Sequence, residues 1–339
     1  MGSTRRLGFT GDVMLGRLVD EAYRDRNRPP AALWGDLQPR LRRLDGLCIN
    51  LESPLSTGGE LAPGRRFRFQ AAPDWSIDAL RAATVDCCSL ANDHAMDFGP
   101  DALGDTLEAL SAADIEAVGA GRNRTAARDP VAIDCRGVTV ALVGFTDAAA
   151  DAATDAATDD RPGTAHVAFD PDDAAAMGVL RAAVSNAARF DPDLVVASLH
   201  WGPADRTRPP PAHQAVARKL ADWGVDLVAG HSAHCFQGVE ILDRGGSPTV
   251  VCYDMGGFVD DYAVDPTHRN DRGFLFELVV GSNGTPLELE LRPVEIESQA
   301  VYRASKRGAT WCRTMMQERS APFDTEFDRA GRGLVVSLT

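Results

Sequence analysis

The chain has 339 residues, 49 of them acidic and 35 basic, so its formal net charge is -14. This charge repels phosphate backbones and argues against nucleic acid as a partner. Seven cysteines without a CxxC pair indicate reduced thiols and a cytoplasmic location. No stretch approaches the roughly 18 consecutive apolar residues of a membrane span, and the N-terminus lacks the apolar segment of a signal peptide.

Short apolar runs recur along the chain, and each one stops at a polar cluster. Their lengths are typical of buried strands. The runs end at Asp12, Glu52, His94, Asp147, His200, His234 and Asp254. Between several of them, the Ala/Leu-rich segments 101–114, 174–190 and 211–224 have helical spacing. Alternating strands and helices predict a layered α/β fold.

The remaining segments complete this prediction. Residues 147–164 are acidic and of low complexity, which favours a mobile surface loop. Residues 273–280 and 287–297 alternate like antiparallel strands, and 298–321 has the pattern of a helix. We expect one domain, with residues 1–265 as its main part and 266–339 as C-terminal strands and a helix that complete it.

Acidic residues and histidines lie at the ends of the predicted strands. They are Asp12, Glu52, Asp93, His94, His200, His231 and His234. Ligands of open α/β sheets bind beyond the carboxyl ends of the strands, so these side chains are expected to converge. Such a cluster needs a cation, because carboxylates and imidazoles gathered in one pocket are otherwise unsatisfied. One or two divalent ions are predicted, with Mn, Zn, Fe, Mg and Ca all left open.

Each of these residues also has an ordinary structural interpretation. An aspartate after glycine often caps a turn, and a histidine that ends an apolar run is often a satisfied core residue. Arg17 either grips an anionic substrate or belongs to a surface helix. The other three histidines, His166, His213 and His268, are predicted to be solvated.

Seven motifs, taken together and in order, resemble a known family. They are GDVMLGR (11–17), NLESPLS (50–56), RFRFQAAP (66–73), ANDHAMDFG (91–99), SLHWG (198–202), GHSAHCFQGVEI (230–241) and YDMGGFVDD (253–261). The chain resembles the CapA proteins of poly-gamma-glutamate capsule synthesis, whose domain has the calcineurin-like metallo-dependent phosphatase fold. This resemblance implies a four-layer α/β/β/α sandwich with a metal site at the carboxyl ends of the strands.

The resemblance also assigns roles to individual residues. It implies Asp12 and His234 on one metal, a bridging Glu52, and Asp93, His200 and His231 on a second metal. His94 takes the place of the acid-base histidine, and Asp93, Asp97, His234 and Asp12 are its candidate catalytic partners. Arg17, Asn92 and Trp201 are the candidate substrate-binding residues.

Four departures from the expected pattern leave the reaction open. Met14 stands where phosphatases have a histidine, Asp93 where they have an asparagine, and Gly257 where the family has an asparagine. The His-His-Pro-His core reads His231-Ser232-Ala233-His234 and keeps only its outer two residues. One hypothesis is hydrolysis of a phosphoester or a glutamyl or peptide substrate, with a metal-bound water and His94 as acid/base. The resemblance to a lasso-peptide tailoring enzyme suggests another, a peptide epimerase that moves a proton at an α-carbon.

The epimerase hypothesis would use two His/Asp pairs, His94 with Asp93 or Asp97, and His234 with Asp12. A third hypothesis is a non-catalytic component of polymer biosynthesis. It predicts that replacing His94 with alanine leaves function intact.

Overall fold

The structure is a computed structural model that describes residues 4–25, 28–62, 67–147, 155–202, 204 and 206–339. Its strands are β1 (Arg5–Val13), β2 (Gly46–Leu51), β3 (Cys87–Ser89), β4 (Glu116–Val118), β5 (Ala120–Gly121), β6 (Val131–Asp134), β7 (Thr139–Thr146), β8 (Gly163–Thr164), β9 (Leu194–His200), β10 (Leu227–His231), β11 (Val239–Asp243), β12 (Pro248–Cys252), β13 (Gly257–Val259), β14 (Arg272–Val280), β15 (Pro286–Glu297), β16 (Ala300–Arg303), β17 (Asp328–Ala330) and β18 (Gly333–Ser337). The α-helices are α1 (Leu18–Asp20), α2 (Gln38–Leu41), α3 (Pro73–Ala82), α4 (Gly99–Ala112), α5 (Arg124–Arg128), α6 (Ala174–Ala187), α7 (Pro211–Asp222) and α8 (Lys306–Ser320). Short 3-10 helices span Pro30–Leu37, Ala188–Phe190 and Ala321–Phe323, and a π-helix spans Glu21–Asp25.

A ten-stranded mixed sheet contains the first and the last of the described strands. Its strand order is β17-β18-β15-β14-β1-β2-β3-β4, with β13 beside β1 and β16 beside β15. Strands β1 to β4 run parallel, whereas β14 pairs antiparallel with β1 and with β15. The antiparallel pair expected at 273–280 and 287–297 is therefore confirmed.

A second sheet has six strands in the order β11-β12-β10-β9-β7-β6. Its central strands β7, β9, β10 and β12 are parallel. Every residue of β10 is buried, and only one residue of β9 is partly exposed. Such nearly continuous apolar strands are typical of a parallel sheet that is covered on both faces.

Three groups of buried side chains join these elements. One combines Leu7 and Phe276 of the ten-stranded sheet with Leu142 and Val196 of the six-stranded sheet. A second joins the ten-stranded sheet to α3 and α4, and a third joins the six-stranded sheet to α6 and α7. The molecule is therefore a mixed α/β protein with two large sheets that contain parallel strands, as the sequence predicts.

The three internal helices form close to the predicted positions. Asp173 caps α6 by accepting hydrogen bonds from the backbone N–H groups of Ala175 and Ala176 at 2.9 and 3.0 Å. Pro73 and Pro211 open α3 and α7, at the helix position where a missing N–H costs nothing. Among the described helices, none combines the length and apolar character needed to cross a bilayer.

Two predictions need correction. The helix expected over 298–321 begins only at Lys306, because Ala300–Arg303 pairs with β15 as a strand. In the predicted loop 147–164, residues 148–154 lie outside the described residues. Its C-terminal part is packed, since Ala157 is buried in a hydrophobic group and Gly163–Thr164 pairs with β5.

Candidate metal centre and active site

Parallel pairing brings the predicted site residues to one edge of each large sheet. In the ten-stranded sheet, Asp12 near the end of β1 pairs with Asn50 in β2. In the six-stranded sheet, the last residues of β9 and β10, His200 and His231, stand side by side. Six predicted ligands from the two sheets consequently make direct contact with one another across this edge.

Asp12 is held between two histidines. Its Oδ1 lies 3.3 Å from His231 Nδ1, and its Oδ2 lies 3.0 Å from His234 Nδ1. Burial raises the pKa of Asp12, but the two neighbouring histidines prevail and leave that pKa well below its usual value. Burial lowers the pKa of His234, yet Asp12 raises it by more, to about 10.

Glu52 and Asp93 contact His200 from two sides. Glu52 Oε1 lies 3.1 Å from His200 Nδ1, and Asp93 Oδ1 lies 3.2 Å from His200 Nε2. Burial opposes charge on His200, but the two carboxylates raise its pKa well above the usual value. For Asp93, burial is outweighed by the charge of His94 and a hydrogen bond to His200, so its pKa is lowered.

His94 has a carboxylate on each side of its ring. Its Nδ1 lies 2.9 Å from Asp97 Oδ2, and its Nε2 lies 3.7 Å from Asp93 Oδ2. Asp97 is fully buried and also accepts a hydrogen bond from the Phe69 backbone N–H at 2.8 Å. Burial disfavours the charged imidazole, but Asp93 and Asp97 raise the pKa of His94 above its usual value. The geometry orients Nε2 toward the cluster and keeps Asp97 behind the ring.

Asn50 links the ligands and was missed by the sequence analysis. Its buried amide donates to Asp12 Oδ1 at 2.9 Å and to Glu52 Oε1 at 2.8 Å. Asn92 in turn donates to Asn50 Oδ1 at 3.1 Å. Asn50 stands two residues before Glu52 in the NLESPLS motif, so the two-residue period of strands could have placed both side chains on one face.

The turn that carries His231 and His234 has a strained backbone. Ser232 and His234 have backbone φ values of 111° and 55°, which residues other than glycine rarely adopt. Asp254 stabilises the turn by accepting the Ala233 N–H at 2.7 Å. Burial and the neighbouring Asp12 raise the pKa of Asp254 to about 8. The strain places His234 against Asp12, as expected for a functional turn.

The donor set fits a divalent metal. At this site, buried Glu52 Oε2 has no hydrogen-bond partner among the described residues, and His200 Nδ1 and His231 Nδ1 lie 3.1 and 3.3 Å from carboxylate oxygens without forming a hydrogen bond. Two groups of side chains have ligand atoms within 4.8 Å of one another, namely Asp12, Glu52 and His200, and Glu52, Asp93 and His94. Mixed carboxylate and imidazole ligands suit several divalent ions. A cation would satisfy the orphaned atoms, and Glu52 belongs to both groups.

Arg17 lies beside this cluster in an aromatic cage, which we define as Phe67, Phe69 and Tyr262. The guanidinium carbon lies 5.5, 5.1 and 5.7 Å from the centres of the three rings. Its Nη2 lies 3.1 Å from Asp261 Oδ1. Phe69 contacts the ring of His94 with centroids 4.6 Å apart. The sequence analysis missed Tyr262, although it directly follows the YDMGGFVDD motif.

The other two candidate substrate-binding residues are internal. The Trp201 side chain is buried and donates to the Tyr253 carbonyl at 2.8 Å. Asn92 is 1% exposed, and its Oδ1 accepts hydrogen bonds from the N–H groups of His94 and Ala95. Their burial does not support the predicted substrate contact. Asn92 instead positions the start of the segment that carries His94.

The position of His213 corrects another prediction. It was expected to be solvated, but it is 7% exposed and stacks on Trp201 with ring centroids 4.6 Å apart. Burial lowers the pKa of His213 to about 4. His166 and His268 are half-buried and are not part of the metal-binding groups. His213 lies on the buried face of α7 with Val216 and Leu220, which its helical sequence context alone did not indicate.

Comparison with known proteins agrees with this arrangement of motifs. The model of the family described as bacterial capsule synthesis protein PGA_cap matches residues 6–262. A probable polyglutamine synthesis accessory protein of Mycobacterium tuberculosis is 30% identical over 92% of this chain and 90% of its own. The capsule biosynthesis protein CapA of Bacillus anthracis is 29% identical over 89% of this chain and 74% of its own, and the PGA biosynthesis protein CapA of Bacillus subtilis is 26% identical over 91% and 76%. The resemblance to CapA proteins is confirmed, and this chain belongs to the bacterial capsule synthesis protein family PGA_cap.

Proposed function

We propose that this protein is a metal-dependent hydrolase of a phosphoester or of a glutamyl or peptide substrate, with His94 as its acid/base. The observation that carries the proposal is the His94–Asp97 pair, 2.9 Å apart, at the border of a cluster that fits a metal. A histidine held at Nδ1 by a buried carboxylate is oriented for proton transfer at Nε2. We further infer that the two sheets and their helices form the four-layer calcineurin-like sandwich.

Glu52 is the proposed shared ligand. Asp12 and His234 would serve one metal, and Asp93, His200 and His231 would serve a second. When bound, a divalent metal stabilises developing negative charge and acidifies the attacking water. The mixture of carboxylate and imidazole donors favours Mn, Zn or Fe over Mg and Ca, which prefer oxygen ligands.

The residues of the chain perform the other steps of the proposed reaction. Water attacks the phosphorus or carbonyl carbon, and protonated His94 donates its Nε2 proton to the leaving atom. A proton from the water then returns to His94. Asp97 holds the His94 ring in its orientation. Arg17 binds an anionic group of the substrate, and the aromatic cage limits the conformational freedom of the Arg17 side chain.

The names of the relatives support a substrate class. Two of them are named for capsule or PGA biosynthesis and one for polyglutamine synthesis. A glutamyl chain carries the carboxylates that Arg17 would bind. We therefore propose γ-glutamyl peptides as candidate substrates in addition to phosphoesters, and both classes are included in the activity test.

The test is turnover of phosphomonoesters, phosphodiesters and γ-glutamyl peptides by the full chain with added Mn²⁺ or Zn²⁺. We expect His94→Gln to lower kcat by about 100-fold or more. His268→Gln is the matched control, because His268 is not part of the metal-binding groups. Absence of turnover with every substrate, or equal rates in both variants, would overturn the proposal.

A second candidate is peptide epimerisation, which one specific observation favours. Two separate His/Asp pairs are present, His94 with Asp97 at 2.9 Å beside the proposed ligands and His234 with Asp12 at 3.0 Å among them. One pair would take a proton from an α-carbon, and the other would return one on the opposite face. In heavy water this reaction incorporates deuterium at the α-carbon without cleavage. Retention of every α-proton contradicts it.

A further inference from the structure

A second candidate site lies outside the metal centre. A cavity of about 470 Å³ is lined by residues of the 3-10 helix Pro30–Leu37, of α2, and of β15, β16 and β18. Five of its lining residues are arginines, and none belongs to the proposed ligand set. They are Arg40, Arg43, Arg292, Arg303 and Arg332. So many cations around one cavity are unexpected in a chain of net charge -14.

Buried carboxylates hold two of the arginines in place. Arg40 donates through Nε and Nη2 to Glu277, which is fully buried. Arg292 donates through Nε to Glu277 and through Nη2 to Glu290, each at 2.5 Å. Neither Nη1 group makes a hydrogen bond within the described part of the chain. These guanidinium groups are therefore fixed and still have donors available.

Two further arginines have no carboxylate partner among the described residues. The guanidinium of Arg43 makes no hydrogen bond there, and that of Arg332 donates only to the Ala304 carbonyl, at 3.1 Å. Arg303 is paired with Asp36 at 2.9 Å. The cavity consequently keeps uncompensated positive charge beside fixed donors, which is the arrangement that binds oxyanions.

We propose that this cavity binds a ligand that carries two or more oxyanion groups. Its volume is in the range of small-molecule sites, and planar guanidinium groups recognise carboxylates and phosphates in the same bidentate way. A single small anion would engage only part of the arginine set. The proposal does not depend on the proposed hydrolase activity.

The experiment measures binding to the full chain by isothermal titration calorimetry with two probes, tricarballylate and tripolyphosphate. We expect the double variant Arg43→Gln/Arg332→Gln to bind about tenfold more weakly or worse. Both residues are exposed, so the substitutions leave the core intact. The double variant Arg42→Gln/Arg122→Gln removes the same charge outside the cavity, and its affinity is expected to stay within about twofold of the wild type.

The variant Glu52→Gln distinguishes binding in this cavity from binding at the proposed metal site. This control is needed because both probes can also bind metal ions. Binding that persists in Glu52→Gln and weakens in Arg43→Gln/Arg332→Gln supports the proposal. Binding of one probe only supports it as well and identifies the oxyanion class. The proposal is overturned if neither probe binds, if both arginine pairs have equal effects, or if Glu52→Gln abolishes binding that Arg43→Gln/Arg332→Gln retains.

Discussion

Replacing Glu52 with glutamine should abolish metal-dependent stabilisation of the protein. Glu52 is fully buried, belongs to both groups of possible ligands, and has one oxygen with no hydrogen-bond partner among the described residues. Glutamine keeps the shape and the contact with Asn50 but removes the negative charge. If Glu52 is shared between metals, this one substitution weakens binding at both positions.

The expected magnitude follows from linkage. At a metal concentration 100 times Kd, binding stabilises the native state by about 2.7 kcal/mol. An unfolding entropy of about 2.1 cal/mol/K per residue, taken over 339 residues, converts this to an increase in Tm of about 4 °C. Removal of even an outer-shell partner can lower metal affinity by about 100-fold. After such a loss, the metal-dependent increase in Tm falls below about 1 °C at the same metal concentration.

The assay is a thermal-shift titration with Mn²⁺ after removal of bound metal by a chelator. Glu240→Gln is the matched control, because Glu240 is also a buried carboxylate but pairs with Arg218 at 3.0 Å on β11. It should lower the starting Tm and keep the full metal-dependent increase. A full increase in Glu52→Gln, or an equal loss in Glu240→Gln, would refute the assignment of Glu52 as a shared ligand.

Three further outcomes are expected. Asp97→Asn should lower kcat and move the alkaline limb of the pH–rate profile to lower pH, because Asp97 raises the pKa of His94; an unchanged profile contradicts a role in positioning that ring. Arg17→Gln should raise KM for an anionic substrate by about tenfold and leave KM for a neutral analogue unchanged. Equal effects on the two KM values would show that Arg17 does not bind the negative charge of the substrate. His213 has a folded pKa of about 4, below its unfolded value of about 6.5. Its contribution to the free energy of unfolding is therefore complete above pH 6.5, and about 3 kcal/mol of it is lost as the pH falls toward 4. In chemical unfolding, His213→Phe should remove that part of the pH dependence, and identical curves for both proteins would contradict it.

Much of the candidate metal centre could be predicted because its residues end apolar runs. In parallel strands, carboxyl ends share an edge, so Asp12, His200 and His231 were expected at one place before any contact was known. The strand-end rule did not single out Asn50, because Asn50 lies inside β2 and only the two-residue strand period relates it to Glu52. Its two hydrogen bonds to carboxylates exist only because β1 and β2 pair in one particular register.

The sequence by itself determined the α/β class, the family and most of the candidate ligands, because periodicity and ordered motifs are local properties of the chain. Tertiary structure alone decided which polar residues face the site and which face the core. Trp201 and His213 stack on each other inside the protein, whereas Tyr262 joins the cage around Arg17 although the two residues are far apart in the sequence. Both contacts depend on how strands, loops and helices pack against one another in three dimensions, and no local pattern encodes that packing.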